Sequence, residues 1–250
     1  MGSEMCIRDS NYAVTAAKAA GADGATQLGA DFIREASDQA QLSQLQLGVA
    51  TELAALARAE GGGAVGLERL AASRGVGVPA LRTQLGEEAE RACASQLDLE
   101  GIFNLAWKAE LWRSALAILD FASPHSRYPD HVDKALSSLL FPEDAQKQPW
   151  DEARAALISL RKAFASSYVF NLDSICAMLE RRALQNGQPA IAVVELLSPT
   201  GGALRPPVAW ADLYRCYAGV RHAGRHMKVL WEEEAMQLRL LEALVYLLQA

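Results

Sequence analysis

The sequence has few of the residues that build disulfide frameworks, zinc fingers or β-sheets. Its cysteines, Cys6, Cys93, Cys176 and Cys216, are widely spaced and form no C-x-x-C pair. This spacing argues against a disulfide framework or a zinc finger, and it favours a reducing compartment in which each thiol packs as a small apolar group. Val, Ile and Thr are sparse while Ala and Leu dominate. The composition therefore predicts an all-α protein.

The sequence also lacks a long apolar run and an excess of positive charge. Its most apolar stretch, Leu238 to Leu248, contains Arg239 and Glu242 and is too short to span a bilayer. We expect this stretch to be the buried side of a terminal helix. The net charge of −6 and the pI near 5.3 disfavour direct nucleic-acid binding by the whole chain.

Both ends of the chain have unusual features. Residues 3–10 read SEMCIRDS, which resembles translated sequencing-adapter read-through, so residues 1–10 are interpreted as an artefact. Residues 11–95 form an Ala/Gly-rich segment with helical patterns. The helical pattern continues to Ala250 without a glycine, a proline or a polar cap. Residues 96–250 are accordingly expected to be a fragment that is truncated at its C-terminus.

Helix-turn-helix corners recur along the last 140 residues at steps of 38, 39 and 37 residues. The corner positions are Glu110, Gln148, Gly187 and Gly224. A small residue stands five positions after most corners and a leucine stands nine positions after, as close helix packing requires. A period of this size is typical of stacked helical repeats, in which each unit buries its apolar face against its neighbours. The sequence therefore predicts a tetratricopeptide-like α-solenoid of about four repeats.

Local signals predict where single helices begin and end. Pro79 suits a first helical position, and Asn171 or Asp173 can cap a helix that runs to Gln185. Further helices are expected over Pro189–Leu197 and, as one long helix, over Met227–Gln249.

The residues that flank these corners are the candidate determinants of fold integrity. Aromatic residues there are expected to wedge between helices, and small residues are expected to allow close approach. The set comprises Trp112, Ala115, Leu119, Trp150, Ala153, Leu157, Gly187, Ala192, Leu196, Trp210 and Tyr217. We expect no catalytic, cofactor-binding or metal-binding residues, and no cofactor.

Motifs that could carry chemistry have simpler interpretations. Residues 61–66 read GGGAVG and satisfy G-x-G-x-x-G, but a helix precedes them and no strand is predicted, so a helix stop is favoured over a dinucleotide site. His222 and His226 have i, i+4 spacing, but Gly224 lies between them and no glutamate follows the first histidine, so exposed corner histidines are favoured over a zinc site. The basic residues near position 221 are followed at once by Glu232, Glu233 and Glu234, which would repel phosphate.

Four segments of the C-terminal half carry a family resemblance. They read FASSYVFNL (164–172), ICAMLERRA (175–183), WADLYRCYA (210–218) and RHMKVLWE (225–232). Together, over roughly residues 97–250, they are similar to the C-terminal helical region of the largest Y-complex scaffold nucleoporin of the nuclear pore outer ring. In that family a Tyr-Val-Asn-Leu start leads a helix that ends in Glu-x-Arg-Ala, and a Tyr-x-x-Leu-Tyr helix precedes a basic turn and a long helix.

The resemblance implies a structural role with no catalytic activity and no cofactor. The expected partners are other protein subunits, such as scaffold nucleoporins, and missing parts of the same chain, with no small-molecule ligand, no direct nucleic acid and no membrane span. The implied location is the nuclear pore at the nuclear envelope, with support of nucleocytoplasmic and mRNA transport; a cytoplasmic location is the alternative. Another α-solenoid, such as a vesicle-coat subunit or a tetratricopeptide adaptor, stays open, as does an all-α enzyme with an unrecognised site.

Overall fold

In a computed structural model of the chain, residues 27–59, 64–122, 129–141, 150–164, 169–201, 203–218 and 225–249 are described. These residues form helices and no strand, so the predicted all-α class is confirmed for them. The chain divides into two compact units, Met1–Ala122 and Ser123–Ala250. The first unit combines residues of the predicted N-terminal segment with the first predicted helix pair.

The first unit consists of one long helix and four shorter helices. The helices are α1 (Gln27–Arg58), α2 (Ala64–Ser73), α3 (Val78–Ala94), α4 (Leu99–Lys108) and α5 (Trp112–Ala122). Helix α1 packs against α3, α4 and α5, while α2 packs against α3 and α4 against α5. Its core is almost wholly apolar and includes Leu53, Leu81, Leu85 and Ile102, all completely buried.

The second unit is arranged around its third helix. The helices are α6 (Pro129–Leu140), α7 (Trp150–Ala163), α8 (Leu172–Gln185), α9 (Ala192–Leu197), α10 (Trp210–Tyr217), α11 (Arg225–Glu232) and α12 (Glu234–Gln249). Helix α8 packs against α6, α9, α10 and α11, and α12 packs against α10 and α11. Eight of the 14 residues of α8 are buried, and the polar residues Ser174, Glu180 and Arg182 are among them.

Side-chain caps fix where several helices begin. The Asp98 carboxylate accepts a hydrogen bond from the Gly101 N–H at 2.8 Å at the start of α4. The Asn171 side chain accepts one from the Ser174 N–H at the start of α8, as expected from its position in the sequence. Pro79 lies in the first turn of α3, where its missing N–H costs nothing.

Three helix ends share one left-handed turn. Gly75, Glu110 and Gly187 have φ values of 66°, 55° and 63°. In each case the following N–H donates to a carbonyl five residues back, as from Leu111 to Ala106 at 2.9 Å. This is the Schellman end of a helix, which most often uses glycine. The predicted corners at Glu110 and Gly187 are therefore turns, while the corners at Gln148 and Gly224 lie outside the described residues.

The expected long helix from Met227 to Gln249 is wrong, because the chain breaks at Glu233. The Glu233 N–H donates to the Leu230 carbonyl, three residues back, and its carboxylate pairs with Arg181. The Gln237 amide donates to the Trp231 carbonyl at 3.1 Å and so satisfies the end of α11. The helix after Gly187 also begins later than expected, at Ala192 rather than Pro189.

Candidate functional site

The corner residues of the first unit lie where close packing is expected. Ala115 is completely buried and Leu119 is 3% exposed. Trp112 is partly buried and meets the Trp107 ring edge-on, with ring centroids 5.1 Å apart. Helices α4 and α5 therefore form a hairpin whose turn at Glu110 is bounded by two tryptophans.

The corner residues of the second unit do not all share one environment. Ala153, Leu157 and Tyr217 are completely buried and Leu196 is 5% exposed. Three further corner residues of this unit are only partly buried: Trp150, Ala192 and Trp210. Gly187 forms its turn without any side-chain contact within 4 Å of the position where a Cβ would stand.

The most distinctive polar arrangement lies inside the second unit, on α8, α10 and α12. The Glu180 carboxylate is completely buried and accepts a hydrogen bond from the Tyr217 hydroxyl at one oxygen. Its other oxygen accepts from the Arg239 Nε at 2.5 Å. Arg239 is itself only 7% exposed. We call these three residues the buried ion cluster.

The remaining donors of Arg239 reach the turn that follows α8. Its two terminal nitrogens donate to the Gln188 carbonyl at 2.6 Å and to the Pro189 carbonyl at 3.0 Å. A buried guanidinium is tolerated when its donors are satisfied and a carboxylate lies beside it. Arg239 thus joins α12 to both α8 and the turn that follows Gly187.

Burial controls the protonation of this cluster. Burial raises the pKa of the Glu180 carboxyl above its ordinary value of 4.5, while Arg239 and the Tyr217 hydroxyl act in the opposite direction. Burial and the nearby Glu180 charge raise the pKa of Tyr217 well above 10.0. A hydrogen bond with Cys216, together with burial, raises the pKa of the Cys176 thiol well above 9.0. Tyr217 and Cys176 therefore keep their protons to a higher pH than they would in water, and both side chains are completely buried.

A second polar junction joins α6, α8 and α11. The Asp173 carboxylate accepts hydrogen bonds from the His226 and Met227 N–H groups at 2.9 and 3.2 Å, and so satisfies the first turn of α11. The His226 ring contacts Asp133 of α6 at 2.8 Å. The interpretation of His226 as an exposed corner residue is thus only partly right, because its side chain is 30% exposed and bound to a carboxylate.

An open cleft of about 510 Å³ lies beside α10. Arg161 and Arg215 line it, together with Phe170 and Asp212. The Arg161 guanidinium lies 4.4 Å from the Phe170 ring centre and donates to the Pro206 carbonyl, while Arg215 pairs with Asp212 at 3.0 Å. Both guanidinium groups are thus used within the unit.

The expectation that residues 238–248 form a buried side is wrong for half of the stretch. Leu240, Ala243 and Leu247 are buried on α12, but four large apolar residues of α12 are exposed. They are Leu238, Leu241, Val245 and Leu248, with 67%, 49%, 52% and 65% exposure. The stretch is apolar on both sides of the helix, so its composition did not reveal which side faces solvent.

Sequence reasoning missed the buried ion cluster. Glu180 and Arg239 are 59 residues apart and no local pattern pairs them. The available signal was a positive charge within an apolar run, since Arg239 stands between Leu238 and Leu240. A charge in such a place is rarely buried unless it is paired.

None of the helices in the described parts of the chain is long and apolar enough to cross a bilayer. In the same residues, no group of three or more His, Cys, Asp or Glu side chains is placed to hold a metal ion. Comparison of the chain with protein-family models, curated proteins and solved structures gave no match in any of the three.

Proposed function

We propose that this chain has a structural role and acts through protein–protein contacts. The observation that carries the proposal is the helical hairpin α4–α5, with its buried small residue Ala115 and its turn at Glu110, together with the way α8 packs against both α6 and α10. Contacts between a helix and the next helix but one are typical of stacked helical pairs.

The arrangement of the second unit supports the stacked-pair interpretation in part. Helices α6 and α7 pack together, α8 and α9 pack together, and α6 packs against α8. Helix α11 instead packs against α8 and α12, which departs from a regular array. A tetratricopeptide-like solenoid with an irregular C-terminal end is the arrangement that we propose.

The cellular location that we propose for this scaffold is the outer ring of the nuclear pore. The support is the sequence resemblance over residues 97–250, and the segments that carry it are used in packing. Val169 and Phe170 are buried ahead of α8, Asn171 caps that helix, and Tyr217 lies in the buried ion cluster. In this proposal the protein has no catalytic activity and no cofactor, and it supports nucleocytoplasmic transport through contacts with other scaffold nucleoporins.

Affinity capture tests this proposal. The full chain with a terminal tag is incubated with a eukaryotic lysate, and the bound proteins are quantified by mass spectrometry against the tag alone. Enrichment of several outer-ring nucleoporins in stoichiometric amounts supports the proposal. Enrichment of vesicle-coat subunits or chaperones would be consistent with a scaffold role but would contradict the location at the nuclear pore. A turnover of small molecules by the purified chain would contradict the whole proposal.

A further inference from the structure

Helix α12 presents two apolar faces, and only one of them is covered. The inner face carries Met236, Leu240, Ala243 and Leu247, all buried. The outer face carries Leu238, Leu241, Val245 and Leu248, which we call the α12 stripe. Single exposed leucines are common on protein surfaces, but four in a row along one helix make a continuous apolar patch.

The spacing of the α12 stripe indicates the shape of its occupant. The intervals are three, four and three residues, which is the pattern of the apolar seam in a pair of coiled α-helices. Side chains at this spacing leave holes that receive side chains of a second helix at the same spacing. An amphipathic helix therefore fits the stripe better than an extended peptide, whose side chains alternate every two residues.

The charged residues near the stripe indicate the charge of its occupant. Glu234 and Glu242 are exposed on α12, and Glu232 is exposed just before it. Arg239, the basic residue of this helix, is buried against Glu180. The rim of the stripe is thus acidic on the flank that carries Glu242, which stands one turn after Leu238. A second copy of the chain would bring the same acidic rim against its own, while a helix with flanking Lys or Arg would complement it.

We propose that the α12 stripe docks an amphipathic α-helix of another protein, with apolar residues at alternating intervals of three and four and with basic residues on the side of that seam that meets Glu242. The inference rests on the proposed binding role of the chain and is independent of the proposed location at the nuclear pore. The acidic flank of α12 selects the basic helix, and the apolar seam provides most of the affinity.

Two synthetic peptides test the inference. Both carry four heptads with identical Leu and Ile seam residues; one has Lys at the flanking positions and the other has Glu. Binding of each labelled peptide to the full chain is measured by fluorescence anisotropy at low and high salt. We expect the Lys peptide to bind at least about tenfold more tightly at low salt and to lose most of that advantage at high salt.

Variants of the full chain assign the binding to the stripe. Leu241→Gln combined with Val245→Gln is expected to weaken binding of the Lys peptide by at least about tenfold, because two contacting apolar side chains are lost. Leu184→Gln is the matched control, since Leu184 is 42% exposed on α8, outside the stripe. Both variants change exposed positions, so circular dichroism and the melting temperature verify that the fold is kept. Glu242→Lys is expected to reduce the preference for the Lys peptide.

Several results would overturn the inference. Equal binding of the two peptides would remove the selection by charge, and unchanged binding in the double variant would place the site elsewhere. Dimerisation of the chain that the double variant abolishes would make a second copy the occupant. If neither peptide binds but outer-ring nucleoporins are still captured, the docking inference fails while the proposed function stands.

Discussion

The interiors of the two units differ in how they use polar groups. Among the described residues, the buried polar side chain of the first unit is Gln46. The second unit buries Ser174, Glu180, Arg182, Ser198 and Arg239. Apolar packing is non-directional, whereas a buried charge needs a partner at a defined position. The comparison suggests that shape fixes the first unit and that specific pairing fixes how α8 and α12 meet in the second.

Gln46 in the first unit acts as a small clamp. Its amide nitrogen donates to the Ala92 and Ser95 carbonyls, and its amide oxygen accepts from the Leu97 N–H at 3.0 Å. These are backbone groups at the end of α3 and in the segment before α4, which have no partner within a helix. The first unit therefore uses its buried polar side chain on backbone ends, while the second uses a charge pair between helices.

The largest expected effect comes from breaking the charge pair. Arg239→Met leaves the Glu180 carboxylate buried without its cation, and we expect a loss of about 3–5 kcal/mol in the free energy of unfolding of the second unit. Urea denaturation followed by circular dichroism measures it. Arg181→Met is the control, because the Arg181–Glu233 pair is about half exposed and is expected to contribute about 0–1 kcal/mol.

Removing the whole cluster sharpens this result. The combination Glu180→Met, Tyr217→Phe and Arg239→Met leaves no charge at the site of the buried ion cluster, so it is expected to recover most of the stability that Arg239→Met alone loses. A triple variant as unstable as the single one would show that lost packing, rather than an unpaired charge, explains the effect.

A smaller loss is expected from the clamp in the first unit. Gln46→Leu keeps the size of the side chain but removes its amide, which leaves two carbonyls and one N–H without their partner. We expect a loss of about 1–3 kcal/mol. Hydrogen exchange should then quicken at Leu97 and at the end of α3 and stay unchanged in the second unit. Equal quickening in both units would contradict the separate roles given to them.

Alkaline pH should separate the two interiors. The unfolded chain releases the Cys176 and Tyr217 protons near pH 9.0 and 10.0, whereas the folded chain retains both because their pKa values are raised. Stability is therefore full below pH 9 and falls as pH rises, by up to about 1.4 kcal/mol per pH unit for each group. Thermal melts from pH 7 to 11 should show that the melting temperature of the second unit falls as the pH rises. In Tyr217→Phe the fall, measured from the melting temperature of that variant at pH 7, should be smaller. A flat profile would contradict burial of these groups.

The smallest expected effects lie at the two matched turns. Gly187→Ala puts a Cβ on a left-handed residue with open space around it, so backbone strain alone should cost about 1 kcal/mol. Glu110→Gly relieves the same strain in the first unit but removes the ion pair with Arg69 at 2.7 Å, so the gain should stay below about 1 kcal/mol. Opposite signs in the two melting temperatures are the expected outcome, and equal signs would contradict a shared turn geometry.

Local features of the fold were predictable from the sequence, and features that depend on distant residues were not. Pro79, Asn171 and Gly187 indicated helix ends because each acts through its own backbone neighbourhood. The break at Glu233 was missed because glutamate is a good helix former. Its partner, Arg181, lies on α8, 52 residues earlier in the chain, so no local pattern indicated the pair. The same limit hid the Glu180–Arg239 pair and the exposure of the α12 stripe.

Affinity capture with a paired variant tests the central claim most directly. The tagged full chain and its Leu241→Gln, Val245→Gln variant are incubated with the same eukaryotic lysate, and bound proteins are quantified by mass spectrometry. The account predicts enrichment of outer-ring nucleoporins on the unmodified chain, with loss on the variant of those that dock through a basic helix. A folded chain that enriches no scaffold protein over the tag alone would contradict it.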